Sequence, residues 1–140
     1  MKVIDSNILI AGLLKDGKIR ELITNSGDEL LIPEIIFEEI EEHIDELTEK
    51  SGLSLEEFNK MISKFKEYFK IIPTKDIINF KEEANLIIGN IDKDDVLFIA
   101  TSLAFDCCPI WSDDNHFKKQ DKIKIYSTKE IIELSEFDNL

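Results

Sequence analysis

Acidic side chains stand at several places where a folded chain would bring them together. Asp5 follows the short β-type run Lys2-Val3-Ile4, and Asp113 and Asp114 follow the apolar run from Cys108 to Trp111. Asp95 falls in the first turn of an apolar stretch, and at about 100° per residue it shares a narrow polar stripe with Ser102. In the segment from Glu34 to Thr48, Ile36, Ile40 and Ile44 set a buried stripe. Glu38 points away from that stripe and Glu39 lies at its margin, so Glu39 is the inward candidate. Each acid alone has a plainer role, since Asp5 and Asp114 suit helix caps and Asp95 complements a helix dipole. At this level Asp113 and Asp114 remain alternatives, as do Asp92, Asp94 and Asp95. Together they point elsewhere: converging carboxylates repel one another and resist ionisation unless a cation compensates them, which is the chemistry of a hard-metal site. With no cysteine or histidine in the set, Mg2+ or Mn2+ is favoured over zinc.

The elements that must position these acids alternate along the chain. Strands are predicted at 2–4, 29–32, 70–72, 108–111 and 122–126. Helices are predicted from Ile8 to Leu14, Lys18 to Asn25, Glu34 to Thr48, Ser54 to about Phe69, Thr74 to about Ile88, Lys93 to Phe105 and Thr128 to Leu134. Pro33 suits a helix entrance, and Gly52 a helix end. Ser54-Leu55-Glu56-Glu57 has the form of a capping box. The helix at 93–105 is apolar on nearly every side, which places it against a sheet. This order predicts an α/β fold, three-layer α/β/α, with a central, mostly parallel sheet of four to five strands and ligands beyond the carboxyl ends of those strands.

The chain has 140 residues, 43% of them hydrophobic, enough for one core, so a single domain over 1–140 is expected. The two cysteines, Cys107 and Cys108, are adjacent and cannot form a disulfide framework, and with His43 and His116 they show no zinc spacing. Apolar runs such as Val96 to Ala100 fall far short of the roughly 20 residues that span a bilayer, and the N-terminus has no signal-peptide pattern, so no membrane role and a cytoplasmic location are expected. The formal charge of −13 disfavours nonspecific adhesion to nucleic acid. The charge is uneven, however. Between Asn115 and Lys129 stand five lysines and one acid, Asp121, a local balance of +4 in which Lys118, Lys119 and Lys122 form a candidate phosphate-facing patch.

Four segments in order carry a family likeness. Val3-Ile4-Asp5-Ser6-Asn7 opens it, Pro33 to Ile40 bears the glutamate, Asp95 to Ala100 bears the third acid, and Ile110-Trp111-Ser112-Asp113-Asp114-Asn115-His116-Phe117 closes it. Over almost its whole length the chain resembles the PIN-domain ribonucleases, VapC-like members among them. The resemblance implies Asp5, Glu39, Asp95 and Asp114 as catalytic metal ligands. Asn7 and Ser112 would give polar support, with serine standing at 112 where the family more often has threonine, and Asp113 would stand beside them. It implies hydrolysis of single-stranded RNA by a metal-activated water, leaving a 5′-phosphate and a 3′-hydroxyl, with Mg2+ or Mn2+ as cofactor. Lys15, Lys18 and Arg20, besides the 118–122 lysines, are candidates to meet the RNA backbone. The family likeness further implies an antitoxin protein as partner, a toxin–antitoxin role and a homodimer. The alternative is a catalytically weak module of the same fold that binds RNA or protein. A phosphatase or phosphotransferase with Asp5 as nucleophile is disfavoured, because Asn7 stands where the usual aspartate pattern wants a second acid.

Overall fold

The structure, a computed structural model, describes residues 1–14, 17–89 and 92–138. Strands β1 (Lys2–Ile4) and β2 (Leu30–Pro33) show how the sheet is enclosed. Val3 and Ile4 are buried in succession, as are all four residues of β2, and a strand buried at consecutive positions is covered on both faces. β3 (Lys70–Ile72), β4 (Ile110–Trp111) and β5 (Ile125–Tyr126) complete a five-stranded sheet of order β3-β2-β1-β4-β5. Every pairing is parallel, and Val3 sits between Leu31 and Ile110.

Eight α-helices among the described residues cover this sheet: α1 (Ser6–Leu14), α2 (Gly17–Thr24), α3 (Glu34–Glu42), α4 (Ile44–Ser51), α5 (Leu55–Lys66), α6 (Lys81–Ile88), α7 (Lys93–Ala104) and α8 (Thr128–Asp138). As its composition predicts, α7 is the most enclosed, with Asp95, Val96 and every residue from Phe98 to Leu103 buried, and it lies across β1, β2 and β4 with α6 packed on it. On α1, Gly12 lets two other helices approach: a Cβ there would lie 3.1 Å from both the Ile23 and the Phe65 side chains. No helix among the described residues is long and apolar enough to cross a membrane.

Parallel strands end on one edge. Connections from β1 lead outward to β2 and β3 on one side, whereas β4 and β5 lie on the other, so the chain segments leaving β1 and β4 diverge and open a crevice between them. That switch point is where an open α/β sheet binds its ligand, and the residues immediately beyond it are Asp5 and Ser112.

Element ends depart from the predicted pattern: α5 stops at Lys66 rather than near Phe69 and α8 runs to Asp138 rather than Leu134, and three further departures have a physical cause. The helix expected over 34–48 breaks at His43 (φ −108°, ψ 20°) into α3 and α4. Glu41/Asp45 and Glu42/Glu46 would be like charges four residues apart across a continuous helix, which destabilises it. The helix expected from Thr74 starts instead as two 3-10 turns, Thr74–Asp76 and Ile78–Phe80, because Ile77 between them turns into the core at 1% exposure. The fourth and fifth strands are shorter than expected. Ahead of β5, Gln120 closes a turn with hydrogen bonds to the Phe117 and Ile123 carbonyls (2.9 and 2.8 Å) and from the Ile123 N–H (2.8 Å), which diverts that backbone from strand pairing. The capping box at Ser54 and Glu57 and the left-handed Gly52 that ends α4 form as predicted.

Candidate functional site

Asp5 leaves β1 with its N–H bonded to the Trp111 carbonyl (3.1 Å), and its own carbonyl accepts from Ile8 and Leu9 to start α1. Its carboxylate is thereby fixed at the head of the crevice, at 3% exposure. The Ser112 hydroxyl, wholly buried, donates to Asp5 Oδ2 at 2.6 Å and accepts from the Asp114 N–H at 3.0 Å. Asn7 contributes through its backbone N–H, 3.4 Å from Asp5 Oδ1, while its side chain faces solvent. Burial pushes the Asp5 carboxyl above the usual range; the Ser112 and Asn7 hydrogen bonds oppose this, and nearby Asp114 adds to it.

Asp95 enters from the first turn of α7, whose start is capped by Asp92 accepting from the Asp94 N–H. Burial, then the charges of Asp92 and Asp114, raise its pKa to about 6 against the counterweight of His116. His116 Nδ1 lies 3.3 Å from Asp95 Oδ2 and 3.5 Å from Asp114 Oδ1, and one donor atom from each of these three residues falls within 4.8 Å of the others. Asp114 Oδ1 also accepts from the His116 N–H at 2.9 Å, which starts a 3-10 turn at Asn115–Lys119.

Glu39 approaches the entrance of α7 from α3. The helical wheel is correct here: Glu38 is exposed, and Glu39 Oε1 is sealed from solvent yet accepts no hydrogen bond among the described residues. Lys93 Nζ stands 3.9 Å from it. Burial raises the Glu39 pKa, and the neighbouring Asp94 carboxylate raises it further. Asp94, rather than Asp95, is the acid that Glu39 faces, so the start of α7 presents one acid toward Glu39 and the next toward Asp114.

Two expected neighbours have other duties. Asp113 does not support the site: it accepts from the Thr128 N–H at 2.7 Å and the Thr128 hydroxyl at 2.6 Å, holding the start of α8. Alternate residues of an extended chain point opposite ways, which separates Asp113 from Asp114. Ser102, seven residues beyond Asp95, lies about 10 Å along α7 and donates to the Cys108 carbonyl at 2.5 Å, tying α7 to the approach of β4.

The basic candidates divide by position. Lys118 and Lys119 are exposed on the turn that follows Asp114, and the charge of Lys118 acts on Glu130 of α8. Lys122 pairs with Glu83 of α6 at 3.3 Å. Lys18 and Arg20 lie past the far end of α1, whose nine residues span about 13 Å. Lys18 lines a polar cavity of about 700 Å³ with Lys2 and Asp28, near the starts of β1 and β2. Arg20 donates to the Gly12 and Leu13 carbonyls at 2.8 and 2.9 Å, so its guanidinium closes α1 rather than facing the crevice. Lys15 lies outside the described residues.

The donors present fit a divalent cation. Burial raises the pKa of Asp5, Asp95 and Glu39, and nearby carboxylates add to it: Asp114 for Asp5, Asp92 and Asp114 for Asp95, and Asp94 for Glu39. The sealed Glu39 oxygen has the Lys93 ammonium at 3.9 Å, beyond hydrogen-bond reach, and a buried polar atom so placed calls for a closer partner. His116 is the member of this site that the residue pattern does not reveal. It stands two residues after Asp114, but its contact with Asp95 joins segments far apart in the chain.

No curated protein matches the sequence. Among solved structures, a chain of VapBC2 from Rickettsia felis, determined bound to a DNA fragment from the promoter, is similar in fold at 14% identity and a TM-score of 0.69, with 90% of this chain and 97% of that one covered. The family described as PIN domain matches residues 3–133, a span that holds every acid of the crevice, and this chain belongs to that family.

Proposed function

We infer that this PIN domain is a ribonuclease that hydrolyses phosphodiester bonds of single-stranded RNA with Mg2+ or Mn2+ held by Asp5, Glu39, Asp95 and Asp114. The observation that carries this reading is the gathering of Asp5, Asp95 and Asp114 at the switch point of the sheet, two of them buried with raised pKa values. A divalent ion bound there supplies charge for the phosphoryl oxygen and lowers the pKa of water. The protein's part is positioning. Ser112 fixes the Asp5 carboxylate, the 3-10 turn fixes Asp114, and Glu39 brings its sealed oxygen from α3. Lys118 and Lys119 lie on the exposed turn that follows Asp114, from which they would meet the RNA backbone and offset the acidic surface. The VapBC2 likeness supports an antitoxin protein as partner and a toxin role, and the family resemblance supports a homodimer.

The test is incubation of the purified protein with end-labelled single-stranded RNA in Mg2+, Mn2+ or chelator. Cleavage is expected only with the ions, leaving a 5′-phosphate. Asp5→Asn and Asp114→Asn should each lower the rate more than about 100-fold, beyond the 10–100-fold typical of groups that merely support a ligand, with circular dichroism unchanged. Cleavage that persists in chelator or in both variants overturns the metal assignment. Metal binding without cleavage identifies instead a binding module on the same fold.

A further inference from the structure

The turn after Asp114 carries a nitrogen donor into a site otherwise made of oxygens. His116 Nδ1 stands 3.3 Å from Asp95 Oδ2 and 3.5 Å from Asp114 Oδ1. Neighbouring ligands around one ion, with bonds of about 2.1 Å at right angles, lie about 3 Å apart, so the three atoms are near the spacing of one coordination face. The turn that bears the imidazole is also anchored. Asp114 caps its start at the His116 N–H, Phe117 is wholly buried with its ring 6.4 Å from that of Phe98 on α7, and Gln120 closes the far side. His116 is thus a half-exposed side chain on a backbone held at both ends, a rim position from which a ligand can meet an ion entering the crevice.

We propose that His116 Nδ1 is a ligand of the ion at this site, together with Asp95 and Asp114, and that this nitrogen makes the site select Mn2+ over Mg2+. This rests on the metal-dependent reading above and deepens it. Mg2+ takes oxygen ligands and keeps its waters, whereas a first-row transition ion gains from an imidazole. Carboxylates alone discriminate far less between these two ions, so the histidine determines which of the two the protein takes when both are present.

Pulsed electron paramagnetic resonance of the Mn2+-loaded full chain tests this directly, because a coordinated imidazole modulates the Mn2+ echo through its 14N nucleus. Modulation is expected in the wild type, in His43→Ala, and not in His116→Ala. Protein grown on 15N-histidine should show the 15N pattern instead, a control that requires no substitution. Calorimetric titration should show Mn2+ affinity falling about tenfold or more in His116→Ala, with Mg2+ affinity unchanged. If Asp95→Asn weakens Mn2+ binding but the wild type shows no nitrogen coupling, the metal site stands and the histidine assignment is overturned. If Asp95→Asn leaves Mn2+ affinity unchanged, the metal site itself falls and this proposal with it.

Discussion

Ser112 has one hydroxyl proton to donate, and the structure commits it to Asp5 Oδ2, while the Asp114 N–H donates to the Ser112 hydroxyl oxygen itself. A single hydroxyl therefore spaces two of the acids. Ser112→Ala should leave the Asp5 carboxylate without its shortest hydrogen bond, raise its pKa further, and weaken Mn2+ binding by about 10–100-fold. Calorimetry with the Ala variant checks this, and wild-type affinity there would remove Ser112 from any positioning role. At this scale the sequence was most informative where geometry is local. The choice of Glu39 over Glu38 follows from helix periodicity alone, and exposure agrees with it. Asp113 and Asp114 were inseparable because both end an apolar run; what separates them is Thr128, which becomes a neighbour only when β5 pairs with β4. His116 escaped for the same reason, since its partner Asp95 belongs to another element.

At the scale of elements, the succession of strands and helices along the chain is legible from alternating patterns, and the order of strands in the sheet and the element ends are not. Ile36, Ile40, Ile44 and Leu47 keep helical spacing through the break at His43, so periodicity could not register it. The 3-10 turns before α6 depend on Ile77 finding the core, and Glu34 accepts from the Thr74 N–H at 2.9 Å, a contact between the ends of β2 and β3. Elements also sort the basic residues. Lys118 and Lys119 share a turn with the site, whereas Lys18 sits on α2 near the opposite edge of the sheet. Lys118→Ala with Lys119→Ala should weaken single-stranded RNA binding and flatten its salt dependence by up to about 0.7 log units per lost contact. Lys18→Ala should change neither. Fluorescence anisotropy across a salt series distinguishes the two, and equal slopes for all three proteins would return the 118–119 pair to ordinary surface charge.

For the whole molecule, the formal charge of −13 and the raised carboxyls act on stability together. The native state holds the Asp95 proton more tightly than the unfolded chain does, so ionisation of Asp95 opposes folding. That cost is absent below pH 3.8, grows toward pH 6 and is complete above it. Asp5 and Glu39 act in the same direction. Asp28 acts oppositely: in spite of partial burial, Lys2 and the N-terminal amine pull its carboxyl down, so its contribution is present above the usual carboxylate range and is lost as the pH falls below it. The metal-free protein should therefore melt higher near pH 5 than at pH 7. Asp95→Asn should gain on the order of 2 kcal/mol at pH 7, less than the full shift implies because water still reaches the site. Mn2+ at about 100 times its dissociation constant should add about 2.7 kcal/mol to the wild type and little to the variant. Calorimetric melting at matched ionic strength checks all three, and a melting temperature that falls steadily from pH 7 to pH 5 without metal would contradict the assignment.

The segment after β4 has a parity. Trp111 Nε1 donates to the Thr128 hydroxyl and Asp113 accepts from it, while Ser112 and Asp114 turn to the opposite side and meet at the crevice. Odd positions brace the scaffold and even positions carry the chemistry, on a backbone whose side chains alternate with period two. A single inserted residue here would exchange the two sets and send Asp113 to the crevice and Asp114 to the helix. Two inserted residues would restore the alternation but displace every partner by about 6.6 Å along the strand direction. The stretch from Ile110 to Asp114 can therefore vary in composition far more readily than in length.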